Sequence, residues 1–193
     1  MSTSYKIVHC VNQFFAGLGG EDKANLAPSL VQGPKGPGML IQKLFPDVEV
    51  IATVIFGDNY LAENTESAVE DILSMLERYL EGDESKTPDL LVAGPAFNAG
   101  RYGIACGAIC QAVQKRLDIP AVTAMFTENP AVDLYRKTIY IAETSGDVIG
   151  MPEAIRRMIP LAIKLLRQET LLPEEDNYIP QGRRKNIFDP ETG

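Results

Sequence analysis

Between residues 94 and 110 the chain gathers most of the side chains that could do chemistry. The run Gly94-Pro95-Ala96-Phe97-Asn98-Ala99-Gly100-Arg101-Tyr102-Gly103 follows the apolar segment Leu90-Leu91-Val92-Ala93 and precedes a helical pattern. A strand, a glycine-rich turn and a helix N-terminus in that order make a site for a polar ligand. Glycines such as Gly94, Gly100 and Gly103 allow positive φ and close backbone approach, and free helix N–H groups point at whatever binds. The side chains offered are Asn98, Arg101 and Tyr102. The planar fork of Arg101 matches a carboxylate, so the expected ligand is small, polar and anionic; the bland alternative is a surface pair with an acid such as Glu128.

Cys106 and Cys110 lie four apart and would share a helix face. Cys106 is nearer the helix start, where a thiolate is stabilised, which makes it the better thiol candidate. Its neighbours Ile104, Ala105, Ala108 and Ile109 favour the plainer reading of buried, inert thiols. His9 precedes Cys10 in a strand, so the two side chains point to opposite faces and cannot act together. With one histidine and three scattered cysteines, no metal site is expected. Gly17, Gly19 and Gly20 imitate a dinucleotide fingerprint only loosely, and Glu21 and Asp22 would repel a pyrophosphate, so a nicotinamide cofactor is rejected.

The elements that must position these groups alternate. Strands are expected at 6–12, 48–56, 89–93, 121–126 and 138–143, and helices at 65–80, about 102–117 and 152–168. From Gln13 to Pro46 the periodicity is weak, apart from a short helix over Met39–Phe45. The pattern predicts an α/β domain over residues 1–171: a three-layer, doubly wound, mainly parallel sheet, Rossmann-like or flavodoxin-like. Residues 172–193 read as a polar C-terminal tail or a linker. In such folds ligands sit at the carboxyl ends of the strands. Four strand ends are polar here: Asn12-Gln13, Gly57-Asp58-Asn59, Gly94 through Tyr102, and Thr127-Glu128-Asn129. The spacing therefore predicts one ligand edge built from Asn12, Asp58, Asn98, Arg101, Tyr102, Glu128 and Asn129, with glycine turns at Gly19, Gly20, Gly57, Gly94, Gly100 and Gly103.

Composition narrows the function classes. The chain has 193 residues, 45% of them hydrophobic, and a formal net charge of −8. That balance argues against general nucleic-acid binding, which needs a basic face. No apolar run approaches the roughly 20 residues of a membrane span, and the N-terminus lacks a signal-peptide pattern. A cytoplasmic protein with neither nucleic-acid nor membrane partners is expected.

Several stretches resemble one family. Val8 through Ala24, Gly36-Pro37-Gly38, Gly57-Asp58, Glu63-Asn64-Thr65, the run from Gly94 to Gly103, Ile119 through Met125, Glu128-Asn129-Pro130 and Gly182 through Asn186 are similar, in order, to the selenoprotein B subunit of glycine, sarcosine and betaine reductases. The resemblance implies a subunit of a multiprotein complex that reductively cleaves the carbon–nitrogen bond of a small amino acid or its N-methylated relative. It implies a partner subunit carrying a pyruvoyl group, and a selenocysteine or cysteine nucleophile in a motif resembling selenocysteine-Gly-Thr-Cys. Family members are about twice as long, and nothing between Met1 and Gly193 matches that motif. The chain thus looks like the amino-terminal half, with no cofactor of its own and the nucleophile on a complementary half. On this reading Arg101 and Asn98 hold the substrate carboxylate, Glu128 or Asp58 faces the cationic nitrogen, and an oligomer, homomeric or with the other half, is expected. The competing expectation is a non-catalytic binding or assembly protein that kept the fold.

Overall fold

Leu90–Phe97 is buried at every position, and Tyr5–Asn12 at every position but Lys6. Strands covered on both faces read as continuous apolar runs, and these two form the centre of a sheet. The computed structural model describes residues 4–182. Its strands are β1 (Tyr5–Asn12), β2 (Ser29–Gln32), β3 (Val48–Phe56), β4 (Leu90–Phe97), β5 (Ala121–Phe126) and β6 (Tyr140–Thr144). They lie in the order β2-β3-β1-β4-β5-β6, all parallel except β2, which runs antiparallel to β3. The architecture is α/β with a mostly parallel sheet, a Rossmann-like layout.

The helices are α1 (Pro37–Leu44), α2 (Asp58–Glu63), α3 (Thr65–Leu80), α4 (Gly100–Leu117), α5 (Pro130–Tyr135), α6 (Met151–Leu166) and α7 (Pro173–Asp176). Two cores form, one on each face of the sheet. Helices α2 to α5 pack on one side through residues such as Leu61, Ile72, Leu76, Ile109 and Val132. Helices α1 and α6 cover the other through Ile41, Ile155, Met158 and Ile159. In α3 the buried positions Ala68, Ile72, Leu73 and Leu76 follow the three-to-four spacing of one helix face. Among the described residues no helix is long and apolar enough to cross a membrane.

Three differences from the sequence reading have physical causes. The weakly periodic stretch after Gln13 contains β2, a short edge strand flanked by Pro28 and Pro34 whose half-exposed residues show no clean alternation. Strand β4 does not stop at Ala93. Its pairing with β5 steps from Ala93 opposite Thr123 to Phe97 opposite Met125, so Gly94, Pro95 and Ala96 bulge out before pairing resumes. Gly94 (φ +94°) supplies the backbone conformation that the bulge needs, and the following Gly94–Pro95 peptide is cis.

The segment expected as a solvated tail or linker packs back onto the sheet as far as it is described. Glu143 N–H donates to Asn177 O and Ile179 N–H to Ile141 O, each at 2.8 Å, and Tyr178 and Ile179 are buried. Lys164 and Asp176 pair beneath α7. The basic run Arg183 to Lys185, with the rest of the expected tail to residue 193, lies outside the described residues.

Candidate functional site

The carboxyl ends of β1, β3 and β4 meet because β1 lies between the other two. Chain connections leave β1 and β4 towards opposite sides of the sheet, and a crevice opens where the order reverses. It holds a cavity of about 420 Å³. Asn12, Gln13, Phe14 and Phe15 line it from the end of β1, and Asp58 from the start of α2. Ala96, Phe97, Asn98, Ala99 and Tyr102 line it from the bulge and the first turn of α4. Gly20 and Glu21 close one side, and Gly146 and Val148 another.

Asp58 is the best-held charge in the cavity. Its Oδ1 accepts from Asn59 N–H at 3.0 Å and Gln13 Nε2 at 3.4 Å, and its Oδ2 accepts a long 3.5 Å bond from Asn12 Nδ2. Asn12, nearly fully buried, also accepts from Phe15 N–H at 3.0 Å, which fixes the turn after β1. Gly57 allows this arrangement: a Cβ there would lie 2.2 Å from Ala24 O. Phe97 sits at the cavity in left-handed backbone conformation (φ +50°), an uncommon state for a bulky residue that its surroundings must enforce.

Tyr102 is fully buried and its hydroxyl, beside the Asn12 backbone, makes no hydrogen bond of normal geometry. Burial first of all pushes its phenol well above the usual value. The ring packs against Phe15 and Phe56 at centroid distances of 5.7 and 6.0 Å. Phe15 in turn meets Phe14 at 5.3 Å and Phe97 at 6.4 Å. Among the described residues, the cavity lining therefore has an aromatic wall, two carboxylates (Asp58 and Glu21) and no Lys, Arg or His.

Not every expected residue is brought here. Arg101 turns away and donates to Asn59 Oδ1 on the exposed surface, so it does not supply the cavity with a carboxylate clamp. Glu128 is exposed, lies outside the lining and does not pair with Arg101. Asn129 is buried but spent on the fold: its Oδ1 caps α5 at Ala131 N–H, and its Nδ2 donates to Phe97 O and Ala99 O. Gly103 lies against that side chain, and Gly100 against Pro130, so both serve close packing rather than a ligand. Gly19 (φ +143°) stays outside the lining, in the turn before Gly20.

Cys106 follows the plainer expectation of an inert thiol and not the reactive alternative. It is fully buried, and desolvation raises its thiol well above the ordinary value, overriding any help from the helix start. Cys10 and Cys110 are buried and raised for the same reason. His9 is a buried core residue whose Nε2 bonds Gly94 O at 2.8 Å, tying β1 to the bulge.

Sequence reasoning placed Gln13 at the right strand end but missed Phe14, Phe15, Glu21, Phe97 and Val148 as lining residues. The available signal was the Phe14-Phe15 pair directly after a buried strand, where polar residues are usual. A larger groove of about 720 Å³ runs over α3, α4 and α5, lined by Val69, Ala112 and Tyr135 among others, but no strand-end residue reaches it.

The chain matches, over residues 4–193, the family described as glycine/sarcosine/betaine reductase selenoprotein B (GRDB). It belongs to that family. Among curated relatives, it is 51% identical over 98% of its length to the glycine reductase complex component B subunit gamma of Carboxydothermus hydrogenoformans, 42% of which is covered. It is 46% identical over 97% of its length to the sarcosine reductase complex component B subunit beta of Peptoclostridium acidaminophilum, again covering 42%. The betaine reductase complex component B subunit beta of the same organism is 36% identical over 93% of this chain, with 40% covered. The chain thus spans less than half the length of these relatives. No solved structure shows a significant match. Family membership confirms the resemblance read from the run at Gly94–Gly103 and the other matching stretches.

Proposed function

We propose that this chain forms part of component B of a glycine, sarcosine or betaine reductase complex and supplies a wall of its substrate site. The reaction would be reductive cleavage of the carbon–nitrogen bond of a small amino acid or an N-methylated one. The observation that carries the reading is the cavity at the ends of β1 and β4, whose held carboxylate Asp58 suits a cationic nitrogen. The parallel strands β3-β1-β4-β5-β6 follow flavodoxin-like winding, in which the reversal between β1 and β4 is the usual ligand position.

The nucleophile and the pyruvoyl group belong to partner polypeptides in this reading. The three cysteines are buried with raised thiols, and none lines the cavity, so no bond-making step runs through this chain. Its residues bind and orient: Asp58 faces the nitrogen, Asn98 and the first turn of α4 stand near the carboxylate, and the aromatic wall excludes water. The complex would work in the cytoplasm.

The same burial of the thiols favours a second reading, a binding or assembly protein without turnover. Reconstitution separates the two. The chain is combined with the portion of a relative's B subunit that it does not cover and with that complex's other components. Amine or ammonia release from glycine, sarcosine or betaine, lost in Asp58→Asn, supports the reductase reading. A stable assembly that releases nothing from any of the three supports the second.

A further inference from the structure

Taking the cavity as a substrate site, we infer that it selects a cationic nitrogen carrying methyl groups over a primary ammonium. The inference rests on the reading above and adds which nitrogen the site prefers. Among the described residues the lining carries Asp58 and Glu21 and no basic side chain, so the local charge favours a cation. What surrounds that charge decides its type.

A primary ammonium brings three N–H donors, and each needs an acceptor once water is excluded. Asp58 already accepts from Asn59 N–H, Gln13 Nε2 and Asn12 Nδ2, so little of its capacity is free. Glu21 is exposed at the side of the cavity. Beside the amides of Asn12, Gln13 and Asn98, the wall is made of Phe14, Phe15, Phe97 and Tyr102, which add aromatic faces rather than further carboxylates. These rings form a connected cluster, with successive centroids 5.3, 6.4 and 5.7 Å apart around Phe15.

A methylated ammonium spreads its charge over carbon-bound hydrogens and needs fewer acceptors or none. Aromatic faces attract it through the ring quadrupole, and a nearby carboxylate balances its charge. At about 420 Å³ the open cavity also has room for the added methyl groups.

The test is calorimetric titration of the full chain with tetramethylammonium chloride, betaine, sarcosine and glycine at constant ionic strength. Wild type is compared with Phe14→Ala, Phe15→Leu and Asp58→Asn, with circular dichroism confirming the fold. Phe14 is 60% exposed, so its variant keeps the measurement valid even where Phe15→Leu disturbs packing. Betaine and tetramethylammonium are expected to bind at least about tenfold tighter than glycine, with sarcosine between. Phe14→Ala and Asp58→Asn should each weaken them several-fold.

Glycine binding as tightly as betaine overturns the methyl preference and leaves the substrate-site reading intact. Tetramethylammonium binding without any of the amino acids upholds the preference and sinks the reading of an amino-acid site. Failure of all four ligands to bind overturns the inference, and the reconstitution assay then judges membership of a working reductase separately.

Discussion

Gln13 and Asp58 hold each other reciprocally. Asp58 N–H donates to Gln13 Oε1 at 3.2 Å, while Gln13 Nε2 donates to Asp58 Oδ1 at 3.4 Å. The ends of β1 and β3 are thereby joined through a side chain, and the only partly buried carboxylate of the cavity is aimed by it. Replacing Gln13 with Met removes both bonds at similar volume. We expect a stability loss of about 1 kcal/mol and a several-fold loss of tetramethylammonium affinity, read by thermal melts and titration. Unchanged affinity would show that Asp58 needs no such support.

Asn129 joins the bulge to α5, and its two functions can be separated. Asn129→Ala loses a helix cap worth about 1 kcal/mol. It also orphans the Phe97 and Ala99 carbonyls, for a total near 2–4 kcal/mol. Asn129→Asp retains the capping oxygen yet sets a carboxylate against the same two carbonyls. It should therefore be at least as destabilised as the alanine variant in denaturant unfolding. A near-native Asp variant would mean that capping is the main role.

Gly57 is at an ordinary helical-entry conformation (φ −78°), so any cost of a side chain there is steric. A Cβ would meet Ala24 O at 2.2 Å and Leu26 N at 2.5 Å, both backbone atoms that cannot swing aside. Gly57→Ala should cost about 1–3 kcal/mol and, by displacing Asp58, weaken ligand binding as well. A variant with wild-type unfolding midpoint would contradict this packing.

The single histidine gives a clean pH signal. Burial, partly offset by the bond to Gly94 O, lowers the His9 pKa from 6.5 to about 4. The unfolded state therefore binds a proton that the folded state refuses between those values. This contribution is complete above pH 6.5 and is lost as pH falls towards 4, at about 1.4 kcal/mol per pH unit. Urea unfolding from pH 7 to 5 should show a slope that His9→Gln flattens. Equal slopes in the two proteins would place a charged or exposed imidazole at residue 9.

All three thiols should resist iodoacetamide near neutral pH in the folded chain and react once urea is added, because burial holds each well above its ordinary pKa. Rapid labelling of Cys106 in the native chain would restore it as a reactive group.

Periodicity and polar strand ends were enough to read the alternation of strands and helices and the crowding of Asn12, Asp58 and Asn98 at one edge. These are local properties: an apolar run of strand length, a helical face such as Ile72 to Leu76, and the rule that parallel strands present their carboxyl ends together. The family was legible for a related reason, since the matching stretches include the turns that build this edge.

Tertiary structure decided which of those side chains face inward. Arg101 and Tyr102 are neighbours in sequence, yet one turn of α4 sends the first to Asn59 on the surface and the second into the core. Asn129 looked like a ligand group and is consumed by three backbone bonds, one to nearby Ala131 and two to Phe97 and Ala99, 32 and 30 positions away. For Cys106 the sequence left a helix-start thiol as the lesser alternative to an inert one, and burial, which governs a thiol more strongly than a helix end does, decides for the inert one. The sequence by itself determined the elements and the edge where they converge, because those follow from local spacing. Orientation, burial and partnership at that edge depend on residues 30 to 85 positions apart, and only the folded chain brings them together.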